Sequence, residues 1–73
     1  MYPNLSKALA EKGITQRSVA TLLNVHYNTV HAKLTGESDF ELREAALIHS
    51  AWFPEYDFLR LFERRPPDQQ QPA

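Results

Sequence analysis

Apolar residues recur along the chain in short runs with three- and four-residue spacing, and polar turn residues separate these runs. Such spacing places the apolar side chains on one face of an α-helix. The pattern predicts a helix ending near residue 12 and further helices over 16–23, about 27–34, about 41–50 and about 54–62. We therefore expect an all-α fold, a compact bundle of about five short helices.

The most regular part of the pattern lies between residues 14 and 34. The apolar positions of its first half share one helical face: Val19, Leu22 and Leu23. The hydroxyl of Thr15 is placed to cap this helix. Asn24 then predicts a left-handed turn, because asparagine takes that conformation more readily than any residue except glycine. A second helix is expected to begin near His26 or Tyr27.

The second helix of this pair is predicted to be polar on its outer side. Val25, Val30 and Leu34 supply its buried positions. The positions left to face outward are rich in hydrogen-bonding groups: Tyr27, Asn28, Thr29, His31, Ala32 and Lys33. A helix, a tight turn and a second helix with a polar outer face form the arrangement that inserts into the major groove of DNA. The pattern therefore indicates duplex DNA as a partner.

Capping residues predict where the flanking helices begin. Asn4 or Ser6 is expected to cap the first helix. Ser38 and Glu41 have the spacing of a capping box for the fourth helix. Pro54 suits the first turn of the last helix, where its missing N–H costs nothing.

Together these features resemble the helix-turn-helix family of small phage repressors and Xre-type regulators. The residues that carry the resemblance are Gln16, Ala20, Asn24, Val25, Val30 and the pair Thr35-Gly36. It extends over residues 1–62 and implies a lambda-repressor-like DNA-binding domain with a central helix-turn-helix. Residues 63–73, which are rich in proline and glutamine, are predicted to form a disordered tail.

The resemblance implies that the second helix of the pair reads base edges. The side chains expected to do so are Tyr27, Asn28, Thr29, His31 and Ala32. Asn28 has the amide needed to pair with adenine N6 and N7. The side chains expected at backbone phosphates are Gln16, Arg17 and Lys33, the first two at a helix N-terminus that favours anions. The implied function is a repressor-like transcriptional regulator of phage or prophage type.

The net charge of −1 is low for a DNA-binding protein, but its distribution is uneven. Residues 1–36 carry a net +3: Lys7, Lys12, Arg17 and Lys33 against Glu11. Residues 37–73 carry a net −4: Arg43, Arg60, Arg64 and Arg65 against Glu37, Asp39, Glu41, Glu44, Glu55, Asp57, Glu63 and Asp68. The basic half contains the helix pair. So small a charge predicts modest affinity for a monomer and a need for a dimer.

Aromatic residues are concentrated in the C-terminal half, where residues 40–62 hold six of the eight. They either complete the core or form an exposed partner surface. In the second case we expect a homodimer through the following residues: Trp52, Phe53, Tyr56, Phe58 and Phe62. The alternative function is a helical protein–protein interaction module that uses this aromatic segment.

Other function classes find little support in the residues. The chain has no cysteine, and His26 and His31 are not spaced to bind a metal from one helical face. We therefore expect no metal, no cofactor and no enzymatic activity. No apolar run approaches the roughly 18 residues that span a bilayer, and the N-terminus lacks a signal-peptide pattern. A cytoplasmic protein without membrane contact is expected.

Overall fold

The computed structural model describes residues 1–64. This part of the chain forms five helices joined by turns and contains no strand. They are α1 (Pro3–Lys12), α2 (Gln16–Leu23), α3 (Tyr27–Thr35), α4 (Leu42–Trp52) and α5 (Phe58–Leu61). The prediction of an all-α fold with about five short helices is confirmed. Most of the predicted tail, residues 65–73, lies outside the described residues, whereas Arg64 forms an ion pair with Asp39 at 3.1 Å.

The first helix begins earlier than predicted. Pro3 occupies the first turn of α1, and the preceding residue, Tyr2, makes no side-chain cap. The prediction of Asn4 or Ser6 as the cap is wrong, because proline's fixed φ already suits the first helical position. The Asn4 amide instead donates to the backbone carbonyl of Arg60 at 2.7 Å, which ties α1 to α5.

The ends of α2 and the start of α3 agree with the sequence-based predictions. Thr15 Oγ1 accepts the backbone N–H of Ser18 at 3.1 Å. Asn24 ends α2 in the left-handed conformation, with φ of 59° and ψ of 48°. α3 begins at Tyr27, directly after His26, whose side chain makes no cap.

α4 begins within one residue of its predicted start, but its capping residues differ from the prediction, and α5 begins later than predicted. The capping box of α4 joins Glu41 to Glu44, so the prediction of Ser38 and Glu41 is wrong. Both pairs have the same three-residue spacing, but the usual pattern begins with Ser or Thr and therefore favours Ser38, whereas the structure uses Glu41. α5 begins at Phe58, capped by Asp57, and Pro54 lies in the turn before it.

The core draws on every helix. The largest fully buried side chains are those of Phe53, Leu5, Ile48, Val19 and Val30. Tyr2 is also buried, with its ring edge-on to Phe40 and Phe62. No helix of residues 1–64 has the length and apolar character needed to cross a membrane.

Candidate nucleic-acid interface

α2 and α3 are joined by the short turn Asn24-Val25-His26 and pack on a shared apolar seam. The N–H of Val25 donates to the carbonyl of Ala20 at 3.0 Å, which closes α2 and redirects the chain. Val19 and Val30 have no exposed surface, and Ala20 is 7% exposed, so α2 and α3 are anchored on their inner sides. The opposite side of α3 is thereby directed outward.

The outer side of α3 presents polar side chains to solvent. Tyr27 is 45% exposed, and Asn28 and His31 are also exposed. Thr29 and Ala32 are half-buried at the edge of this surface. The five residues expected at base edges therefore lie on one exposed face or along its border. Whether they bind DNA stays a prediction.

Side chains from α2 and α3 form a continuous row across the pair, which we call the α2–α3 row: Arg17, Tyr27, His31 and Gln16. The guanidinium carbon of Arg17 lies 5.8 Å from the centroid of the Tyr27 ring. That ring is nearly parallel to the His31 ring, with centroids 6.5 Å apart and 15° between planes. His31 Nδ1 lies 3.3 Å from Gln16 Oε1. These contacts restrict the side chains before any ligand is bound, which lowers the entropy cost of binding.

Lys33 does not belong to this surface, and its predicted place at a DNA phosphate is wrong. Lys33 is 8% exposed, and its side chain pairs with Glu44 of α4, with 2.5 Å between Nζ and Oε1. A buried cation requires such a partner because the interior solvates charge poorly. Glu44 is not among the residues predicted from the sequence, although its acidic side chain lies on the buried side of an amphipathic helix.

The Glu44 carboxylate is held in its ionised form. Burial raises the pKa of Glu44, but hydrogen bonds from Lys33 and from the backbone N–H of Glu41, with the charges of Lys33 and Arg43, outweigh burial. The pKa of Glu44 therefore lies below its usual value. The ion pair between α3 and α4 persists at neutral pH.

Two of the four Lys and Arg side chains of residues 1–36 are paired with carboxylates of the C-terminal half. Lys12 Nζ donates to the carbonyl of Trp52 at 2.7 Å and lies 3.4 Å from Glu55 Oε2. With Lys33 also paired, Lys7 and Arg17 are the two basic side chains of residues 1–36 without an ion pair among the described residues. Arg17 alone of these lies on α2, beside the outer face of α3.

The C-terminal aromatics do not cover the outer face of α3. Within residues 1–64, the rings of Phe58 and Phe62 contact one another, His49, Tyr2 and Phe40. Phe53 is completely buried, so its predicted role at a dimer surface is wrong. The other predicted dimer residues are half-buried: Trp52, Tyr56, Phe58 and Phe62.

His49 and His31 each make a contact of their own and do not contact one another in a shared cluster. His49 Nε2 lies 2.8 Å from the carbonyl of Tyr56, where it holds the turn between α4 and α5. His31 contacts Gln16. Within residues 1–64, His, Cys, Asp and Glu side chains form no group of three that could hold a metal ion.

Comparison with known proteins yields no relative for this chain. No family model, no curated protein and no solved structure matches it. The resemblance noted in the sequence therefore stays a prediction, and a functional proposal depends on the geometry of α2 and α3.

Proposed function

We propose that the protein is a sequence-specific, non-enzymatic DNA-binding transcriptional regulator of the repressor-like helix-turn-helix class. In this proposal the fold is a lambda-repressor-like domain that acts in the cytoplasm, and α3 enters the major groove of duplex DNA. The observation that carries the proposal is the exposed polar face of α3, which holds Tyr27, Asn28 and His31 and which the C-terminal aromatics leave open.

Each side chain on this face has a role in the proposed complex. Asn28, in the first turn of α3, pairs its amide with N6 and N7 of an adenine. Thr29 and Ala32 offer methyl groups to thymine. Arg17 and Gln16 meet a backbone phosphate, where the free N–H groups at the start of α2 add a favourable field. Phosphate contacts set the register and base contacts set the specificity.

The small number of available cations requires more than one copy on the DNA. Each neutralised phosphate contributes a slope of about −0.9 to the dependence of log affinity on log salt concentration. Arg17 and the start of α2 supply few such contacts, so a monomer binds weakly. We propose a homodimer on a palindromic operator, in which two copies of α3 occupy successive major grooves.

Exposed leucines support a contact between two copies. Leu42 is 75% exposed and Leu59 is 79% exposed. Leu42, Phe58 and Phe62 line an open groove of about 330 Å³ between the start of α4 and α5. Burial of this apolar surface against a second copy would remove it from water.

Selection of binding sites from random duplexes, followed by affinity measurements, tests the proposal. We expect enrichment of a palindromic sequence. Asn28→Ala should lower the ratio of operator affinity to random-duplex affinity by about 5- to 150-fold, which corresponds to roughly 1–3 kcal/mol for one bidentate base contact. Ser6→Ala, an exposed change on α1, is the control and should leave the ratio unchanged. A wild-type chain that enriches no sequence would contradict the proposal.

The same exposed leucines favour one second candidate, a helical protein–protein interaction module. In that function Leu42 and Leu59 would bind a different protein, and the outer face of α3 would have no ligand. Salt separates the two candidates. Affinity for DNA should fall steeply as salt rises from 50 to 200 mM, whereas an apolar protein interface responds weakly.

A further inference from the structure

Two charged side chains in the interior join α3 to α4. Among residues 1–64 the buried charged residues are Lys33, which is 8% exposed, and Glu44, which is 4% exposed. Their charged atoms lie 2.5 Å apart. The same Glu44 oxygen accepts the backbone N–H of Glu41 at 3.0 Å. The ion pair is therefore connected directly to the first turn of α4.

A second polar contact holds α3 on the other side. His31 Nδ1 lies 3.3 Å from Gln16 Oε1 at the start of α2. Because an α-helix turns about 100° per residue, Lys33 projects about 200° away from His31 around the axis of α3. α3 is thus attached to α2 and to α4 by polar contacts on nearly opposite sides.

Apolar packing does not fix the rotation of a helix as closely as these contacts do. Val30 and Leu34 of α3 are buried, but hydrophobic burial has no preferred direction. A buried ion pair adds little net stability, since loss of hydration offsets the attraction between the charges. Its geometry is nevertheless narrow, and buried polar groups fix register in other helical assemblies.

We propose that Lys33 is a positioning residue: its ion pair with Glu44 fixes the rotation of α3 about its own axis and thereby selects the side chains that α3 presents to the bases. This inference rests on the proposed DNA-binding function. Rotation of α3 moves Asn28 and His31 together across the groove. Arg17 belongs to α2 and keeps its charge beside the DNA backbone, so sequence preference changes more than the attraction to phosphates does.

The combined change Lys33→Met and Glu44→Gln tests this role. It removes both buried charges, keeps the net charge and leaves a side-chain oxygen at position 44 for the N–H of Glu41. We expect a helical circular dichroism spectrum like that of the wild type. The ratio of operator affinity to random-duplex affinity should fall about tenfold or more, with random-duplex affinity changed less than about twofold.

The matched control is Lys7→Met with Glu11→Gln. Like the test variant, this pair removes one positive and one negative charge. The two side chains lie four positions apart on α1, and both are exposed. We expect the affinity ratio to stay at the wild-type value. The control separates the position of the charges from their number.

Nuclear Overhauser effects between the Gln16 side chain and the His31 ring give a readout that needs no DNA. We expect them to be lost in the double variant and kept in the control. A folded double variant that keeps these effects and the wild-type affinity ratio would overturn the positioning role. A wild-type chain without sequence preference would refute the DNA-binding function. If the double variant nevertheless loses the Gln16–His31 effects, the conclusion that the ion pair positions α3 is retained.

Glu44→Asp alone is the milder variant, because it keeps both charges and the net charge but shortens the carboxylate side chain that Lys33 and the N–H of Glu41 contact. It replaces the double variant if the latter does not fold. We expect a smaller fall in the affinity ratio, about threefold. An unchanged ratio in this folded variant also overturns the proposal.

Discussion

The Tyr2 hydroxyl accepts the backbone N–H of Phe40 at 3.0 Å, a contact that spans 38 positions of sequence. The two rings also meet edge to face, with centroids 5.1 Å apart. Tyr2 thereby connects the start of α1 to the segment that leads from α3 into α4. The same segment contains Glu41, whose N–H binds the carboxylate that pairs with Lys33.

Removal of this hydroxyl should destabilise the fold. Tyr2→Phe keeps the ring but leaves the partly buried N–H of Phe40 without its acceptor, at a cost of about 1 kcal/mol. For a domain of this size that corresponds to a fall of roughly 4–8 °C in the melting temperature. Thermal unfolding followed by circular dichroism measures it. Tyr27→Phe, at an exposed position, is the control, and equal melting temperatures for both variants would contradict the role of the Tyr2 hydroxyl.

The left-handed conformation at the end of α2 predicts how substitutions there change stability. Asn24 has φ of 59°, where a side chain with a Cβ is strained and glycine is not. We expect Asn24→Ala to lower the free energy of unfolding by about 1 kcal/mol. Asn24→Gly should leave it unchanged or raise it slightly. Urea unfolding of the two variants measures the difference, and an alanine variant as stable as the glycine variant would refute the assignment.

Stability should fall at acid pH because of Glu44. Its folded-state pKa lies below the ordinary value of 4.5, since hydrogen bonds and the charge of Lys33 outweigh the effect of burial. The unfolded chain therefore takes up this proton first as pH falls. The contribution of Glu44 to stability is full above pH 4.5 and disappears as pH falls through the lower folded-state pKa.

Unfolding free energies measured between pH 7 and pH 2.5 test the acid dependence. In Glu44→Gln we expect a shallower loss of stability in the acid range than in the wild type. Glu37→Gln removes an exposed carboxylate and is the control. A Glu44→Gln curve parallel to that of the wild type would show that the Glu44 carboxylate does not contribute in this way.

The exposed leucines predict the association state. Leu42→Ser with Leu59→Ser should weaken a dimer in sedimentation equilibrium and leave the monomer's stability within about 0.5 kcal/mol, because both side chains are already largely in water. Leu47→Ser is a matched control. Leu47 is 37% exposed on α4 and lies about 140° around the helix from Leu42. A wild-type chain that sediments as a monomer at high concentration would refute the dimer.

Short-range chemistry made several features predictable. The cap by Thr15, the left-handed Asn24 and the start of α3 at Tyr27 each depend on residues within a few positions, and the structure confirms them. The exposed face of α3 was also predictable, because Val30 and Leu34 mark its buried side at helical spacing. The start of α4 lies within one residue of its prediction, but its capping box was assigned wrongly, and α5 begins at Phe58 rather than near Pro54.

The sequence by itself determined which segments become helices and which side of α3 faces solvent, because both follow from local backbone preferences and apolar periodicity. The tertiary structure alone decided that Lys33 turns inward, since its partner Glu44 lies on another helix and a buried cation is stable only beside such a partner. It also decided that Phe53 belongs to the core and Leu59 to the surface, because the burial of a side chain is defined only once distant parts of the chain have packed together.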